Sequence, residues 1–167
     1  ILRKLDMPVG ETPGLGPWRS FLDRRHKATE VINIGLVGKY DLQDAYKSIL
    51  EALSQAGTYN DRKVKCHFIN SEKINKENVV EMLAGMDGYV ICPGFGQRGI
   101  EGKIIAAQYC RENNRPTFGI CLGMQMMVIE FGRNVLGYAD ANSAEMDAKT
   151  DHNVIDLMED QKNITNM

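Results

Sequence analysis

The sequence predicts an α/β domain, a mostly parallel sheet with helices on both faces. Three observations carry this. From Val31 onward, short β-branched runs alternate with segments of helical period, the pattern of successive right-handed crossovers. Several runs close on glycine turns of the kind that join strands to helices. The chain has 167 residues, 43% hydrophobic and 25% charged, enough for one domain with a real core.

Residues 1–30 stand apart. Pro8, Gly10, Pro13, Gly14, Gly16 and Pro17 oppose regular structure. WRSFLDRRHKA then places Trp18, Phe21 and Leu22 at helical spacing. This reads as an interdomain linker that docks through Trp18. A linker, and a first residue that is Ile1 rather than Met, lead us to expect a piece of a longer protein. VINIGLVG has the composition of a buried parallel strand. LQDAYKSILEALSQAG puts Leu42, Ala45, Tyr46, Ile49, Leu50 and Leu53 on one helical face, with Gly57 as its stop. RKVKCHFIN alternates as a strand, and NKENVVEMLAG reads as a helix stopped by Gly85. DGYVICPG is a strand, IEGKIIAAQYCREN a helix, RPTFGIC a strand and LGMQMMVIEFGRNV a helix. Ligands in such folds bind at the carboxyl ends of strands, so the turns after residues 37, 92 and 120 matter most.

Composition excludes several functions. A net charge of −2 argues against nucleic acid and anionic membrane as partners. The apolar runs fall far short of the ~20 residues that span a bilayer, and no signal peptide opens the chain. Cys66, Cys92, Cys110 and Cys121 form no C-x-x-C and no ligand spacing with the three histidines, so no metal site is expected. Unpaired thiols suit a cytoplasmic location.

The strongest chemical signal is FGICLGMQ, residues 118–125, built on Gly119-x-Cys121-x-Gly123 where a strand turns into a helix. This is the nucleophile-elbow arrangement with cysteine in place of serine. The tight turn needs small neighbours, and the helix N-terminus favours a thiolate. The N–H of Leu122 is placed to donate to an oxyanion. A buried cysteine at an ordinary strand end is the plainer reading of such a pattern taken alone. The second signal is CPGFGQRGIEGK, residues 92–103, whose four glycines let backbone approach a ligand and whose Gly94 offers a second oxyanion N–H. Ile104 after Lys103 rules out a Walker A loop.

PGFGxRGxEGK, GICLGMQ and A-N-S-x-E, with GKY…DAYKSI upstream and HNVIDLMEDQ downstream, resemble the glutaminase domain of the CTP synthases. The resemblance covers the whole chain and implies the class I glutamine amidotransferase fold, flavodoxin-like, over 31–167 and incomplete at its C-terminus. It implies that Cys121 attacks the glutamine side-chain amide, with Gly94 and Leu122 as oxyanion donors. Gly123, Met124 and Gln125 match the glutamine-binding stretch, and Glu145 matches the acid that holds the α-ammonium of the substrate. Arg98 and Glu101 match a loop that couples GTP activation to glutamine hydrolysis. ATP and Mg²⁺ would belong to a synthetase domain that precedes residues 1–30, and UTP, ATP, GTP and L-glutamine would be the ligands of a tetrameric enzyme.

The sequence departs from the family in three places. Cys92-Pro93-Gly94-Phe95 has one glycine fewer than P-G-G-F. Lys39-Tyr40-Asp41-Leu42 is one residue shorter than G-K-Y-x-x-L allows. The family's H-P-E, which supplies the base and its orienting carboxylate, follows none of His26, His67 and His152. Competing readings are another triad glutaminase, such as a GMP synthase or anthranilate synthase subunit, and a non-catalytic DJ-1-like module. The GKY and DAYKSI segments speak against the first. Gln125 and Glu145 speak against the second.

Overall fold

A computed structural model describes residues 1–10, 14–40 and 43–158. Asp41 and Leu42, at the shortened G-K-Y segment, and the end of the HNVIDLMEDQ match lie outside the described residues.

The main sheet has four parallel strands: β1 (Val31–Gly38), β2 (Lys63–Asn70), β3 (Gly88–Ile91) and β4 (Thr117–Gly119). Their order is β2-β1-β3-β4. The register sets Val37 beside both Ile69 and Ile91. The helices are α1 (Gly16–Lys27), α2 (Lys47–Tyr59), α3 (Val79–Met82), α4 (Ile100–Glu112) and α5 (Leu122–Asn134). Alternate residues of the buried strands face opposite layers. Val37, Ile69, Tyr89 and Ile91 pack with Leu83, Ala106 and Cys110 from the α3–α4 side. Leu36, Val90 and Cys92 pack with Tyr46, Ile49, Leu50 and Leu53 on the other face. The expected sheet with helices on both faces is therefore what the chain forms. A third cluster joins Ile104 of α4 to Leu122, Met126 and Ile129 of α5, beneath Met146, Val154 and Ile155. Val154 and Ile155 belong to a small parallel pair, β5 (Asn142–Ser143) and β6 (Asn153–Ile155), and Met146 follows β5.

Three local expectations need correction. Gly57 does not stop α2, which runs on to Tyr59. A Cβ there would lie 2.7 Å from Val64 and 2.9 Å from the Arg62 carbonyl, so the glycine lets the helix close on β2. The segment before Gly85 makes only the four-residue α3, led in by Asn75 and Asn78, whose side-chain oxygens accept from each other's backbone N–H in the manner of a capping box. Trp18 is 57% exposed and stacks on Phe21. Docking of α1 falls to Phe21 against Tyr59 and to Arg24, which donates to Asp61 and to the Tyr59 carbonyl.

Candidate active site

β1, β3 and β4 deliver Lys39, Gly94 and Cys121 to one edge of the sheet, as parallel strands ending together must. Cys121 sits between β4 and α5 at φ 53° and ψ −116°. A side chain at that angle stores about 1–3 kcal/mol of strain. The turn is held by Ile120 N–H donating to the Ile91 carbonyl (3.0 Å), and by Gly123 and Gln125 N–H donating to Ile120 and Cys121 (2.8 and 3.1 Å). Both glycines of the elbow are sterically required. A Cβ on Gly119 would come within 2.7 Å of the Met124 backbone, and one on Gly123 within 1.9 Å of the Ile91 carbonyl. Gly123→Ala should therefore push α5 off β3. We expect it to cost about 3 kcal/mol or more, read as a fall in Tm of roughly 10 °C. An unchanged Tm would refute the packing.

Cys121 is the exposed thiol of the four. Cys92 and Cys110 are 0% and 1% exposed, and Cys66 is half-buried. Burial raises all three of these thiols, Cys92 to about 12. Iodoacetamide at neutral pH is expected to alkylate Cys121 at least about tenfold faster than the others, since the thiolate is the nucleophile. Peptide mass spectrometry after a short pulse decides it, and equal labelling would remove the case for an accessible elbow.

Leu122 opens α5, so its N–H has no intrahelical acceptor. Among the described residues, no carbonyl takes the N–H of either Leu122 or Gly94. The two residues are neighbours: a Cβ built on Gly94 lies 3.6 Å from the Leu122 side chain. Such a Cβ would make only ordinary contacts, so the fold itself does not demand glycine at 94. Gly96 and Gly99 are different, with φ of 70° and 75°.

Beneath this turn lie two lysines that motif reading missed. Lys103 is 0% exposed, and its Nζ donates to the Cys92 carbonyl at 2.6 Å and the Pro93 carbonyl at 3.4 Å. Burial lowers its pKa to about 8. Lys39 is 7% exposed and donates to the Phe95 carbonyl. The available signal for Lys103 was a cation directly before the apolar run IIAA of its helix, at the end of the motif PGFGxRGxEGK.

One turn into α5, Gln125 shares a cavity of about 420 Å³ with Ser143, Ala144, Glu145 and Ile155. Glu145 is exposed, and among the described residues its carboxylate has no partner. Gln97, from the glycine-rich turn, donates to the Met146 carbonyl at 3.0 Å and ties that turn to the Glu145 loop. The base of the loop is clasped by Asp140. Its carboxylate accepts from the Asp151 N–H at 2.9 Å and the Thr150 hydroxyl at 3.1 Å, and lies 2.6 Å from His152 Nδ1. The His152 contact first, with these hydrogen bonds, holds the Asp140 carboxyl down to about 2.

Other sequence-selected residues are not brought to this cavity. The Met124 side chain lines a separate apolar hollow with Phe118, Met127, Phe131 and Leu136. The Gly123 N–H is spent within the elbow. Arg98 pairs with Glu72 at 3.0 Å, and Glu101 with Arg133 at 3.1 Å, so each braces a neighbouring element. Among the described residues, no group of three or more His, Cys, Asp or Glu could hold a metal ion. No described helix is long and apolar enough to cross a membrane.

The pattern of the family Glutamine amidotransferase class-I matches residues 41–166. The chain belongs to this family. Among relatives of this amidotransferase, a CTP synthase of Bacteroides thetaiotaomicron is 72% identical over all of the chain. One of Flavobacterium johnsoniae is 59% identical over 98% of it. The chain spans about a third of the length of these curated relatives, 32% and 31%. Among solved structures, the glutaminase domain of CTPS from Trypanosoma brucei, with bound acivicin, matches at 38% identity and a TM-score of 0.74. That match covers 80% of this chain and 52% of the other. The amidotransferase fold read from the resemblance is thus shown, and a DJ-1-like module is not favoured.

Proposed function

We propose that this chain is the glutaminase domain of a CTP synthase, hydrolysing glutamine to supply ammonia for the ATP-dependent amination of UTP. The observation that carries the glutaminase half is the exposed Cys121 at a strained elbow, with two unspent N–H groups beside it. The synthase half rests on the relatives. Cys121 Sγ attacks the side-chain amide carbon of glutamine. The N–H groups of Leu122 and Gly94 hold the oxygen that gains charge. Ammonia leaves with an added proton, and water hydrolyses the thioester to glutamate. Glu145, with Gln125, takes the substrate's α-ammonium end in the cavity they share. The base and its carboxylate are placed on the family's H-P-E segment, which these 167 residues do not contain.

In this reading residues 1–30 link to a synthetase domain that holds ATP, Mg²⁺ and UTP. Arg98 and Glu101 transmit GTP activation through their ion pairs with Glu72 and Arg133, and the enzyme is a cytoplasmic tetramer. The test uses the intact protein with UTP, ATP, Mg²⁺ and glutamine. Equal amounts of CTP and glutamate are expected, and ammonium should replace glutamine. Failure to form CTP with either nitrogen source would sink the synthase assignment. CTP from ammonium without glutamate release from glutamine would sink the glutaminase one.

A further inference from the structure

We propose that Lys103 is a positioning residue of the oxyanion hole: its buried ammonium draws the Pro93 carbonyl inward and so turns the Gly94 N–H out towards the reacting amide. The inference rests on the glutaminase reading above.

Lys103 lies in the first turn of α4, between the buried Gly102 and Ile104. Its ammonium is fully enclosed, and among the described residues no carboxylate pairs with it. Enclosing an unpaired cation is costly, and a methionine of similar length would fill the space without that cost. The charge is instead spent on two successive carbonyls, of Cys92 and Pro93. The second belongs to the peptide whose N–H is that of Gly94. No peptide bond here is cis, and in a trans peptide C=O and N–H point in opposite directions. Holding the Pro93 oxygen inward therefore aims the Gly94 N–H outward. Lys39 fixes the far side of the same turn through the Phe95 carbonyl. The ammonium also lies within electrostatic reach of the Cys121 sulfur. Its charge thus favours the anionic oxygen that the turn receives.

A structural filler and a positioning cation predict opposite orders. The intact protein carrying Lys103→Met, Lys103→Gln or the native residue is assayed for glutamate release. Loss of one oxyanion donor lowers kcat by about 10²–10³-fold, so a misaimed one should cost roughly 10–100-fold. We expect kcat to fall in the order Lys, Gln, Met, because the Gln amide still donates to the carbonyls. KM for glutamine should stay close to native, since the substrate's ammonium end is taken in the separate cavity of Gln125 and Glu145. A filler predicts Met at or above Gln, and that order would overturn the inference, as would native kcat in Lys103→Met. If Lys103→Met melts below assay temperature, Lys103→Gln decides alone: a several-fold loss of kcat at native KM supports it, native kcat overturns it. Absence of Cys121-dependent glutamate release from the native protein would mark a failure of the glutaminase reading instead.

Discussion

Cys121→Ala in the intact protein is expected to lower glutamine-dependent amination by about 10⁴-fold or more, while ammonium-supported amination persists. The magnitude follows from the division of labour at the elbow. In the proposed reaction the N–H groups of Gly94 and Leu122 would stabilise charge only after a nucleophile has added to the amide. Without Sγ there is no thioester, and what remains is attack by water in a site not built to activate it. Two variants separate chemistry from architecture. At φ 53° and ψ −116° alanine keeps the backbone strain of the native residue, whereas glycine sheds it. Cys121→Gly should therefore be about 1 kcal/mol more stable than Cys121→Ala, and both should be inactive. The measurements are paired rates with glutamine and ammonium, and thermal melts. Glutamine-dependent turnover within tenfold of native in either variant would show that another group attacks the substrate.

That strain explains why the elbow was legible in sequence. Gly119 and Gly123 are each pinned by a contact shorter than any side chain tolerates, so the nucleophile's neighbours carry its geometry in their identity. Strand and helix periods were legible for a similar reason: a strand buried on both faces, such as VINIGLVG, has few compositional choices. What failed was whatever depended on a distant partner. Gly57 reads as a helix stop until β2 is laid against it. The partners of Arg98 and Glu101, which are Glu72 and Arg133, are visible only once the fold brings them alongside. The burial of Lys103 is visible only once its helix is seen to begin under the carbonyls of Cys92 and Pro93. Glu145 is the intermediate case. Its residue type fits an ammonium, but only the fold places it beside Gln125, twenty positions away in the chain.

The 167-residue chain by itself is expected to release glutamate at least about 10²-fold more slowly than the intact protein, because none of its histidines can reach Cys121 as a base. His26 lies near the end of α1, just before β1 begins, and so at the amino edge of the sheet; Cys121 is at the carboxyl edge. An eight-residue strand such as β1 separates those edges by roughly 26 Å. His67 sits within β2 and is 2.9 Å from Asn33 of β1. Three strand spacings of about 4.8 Å lie between β2 and β4. His152 has a carboxylate partner, Asp140, and so looks most like a base–orienter pair. Yet its ring is stacked on Tyr138, beside the far end of α5. There Gly132 meets Ala141 and Val154, eleven residues and roughly 16 Å along the helix from Cys121. A general acid–base contributes about 10²–10⁴-fold, which sets the expected gap. Side-by-side glutamate assays of the chain and the intact protein measure it, with His152→Ala in the isolated chain as the discriminating variant. Equal rates in chain and intact protein, abolished by His152→Ala, would mean that the Asp140 clasp swings to the elbow and that the base was within these residues all along.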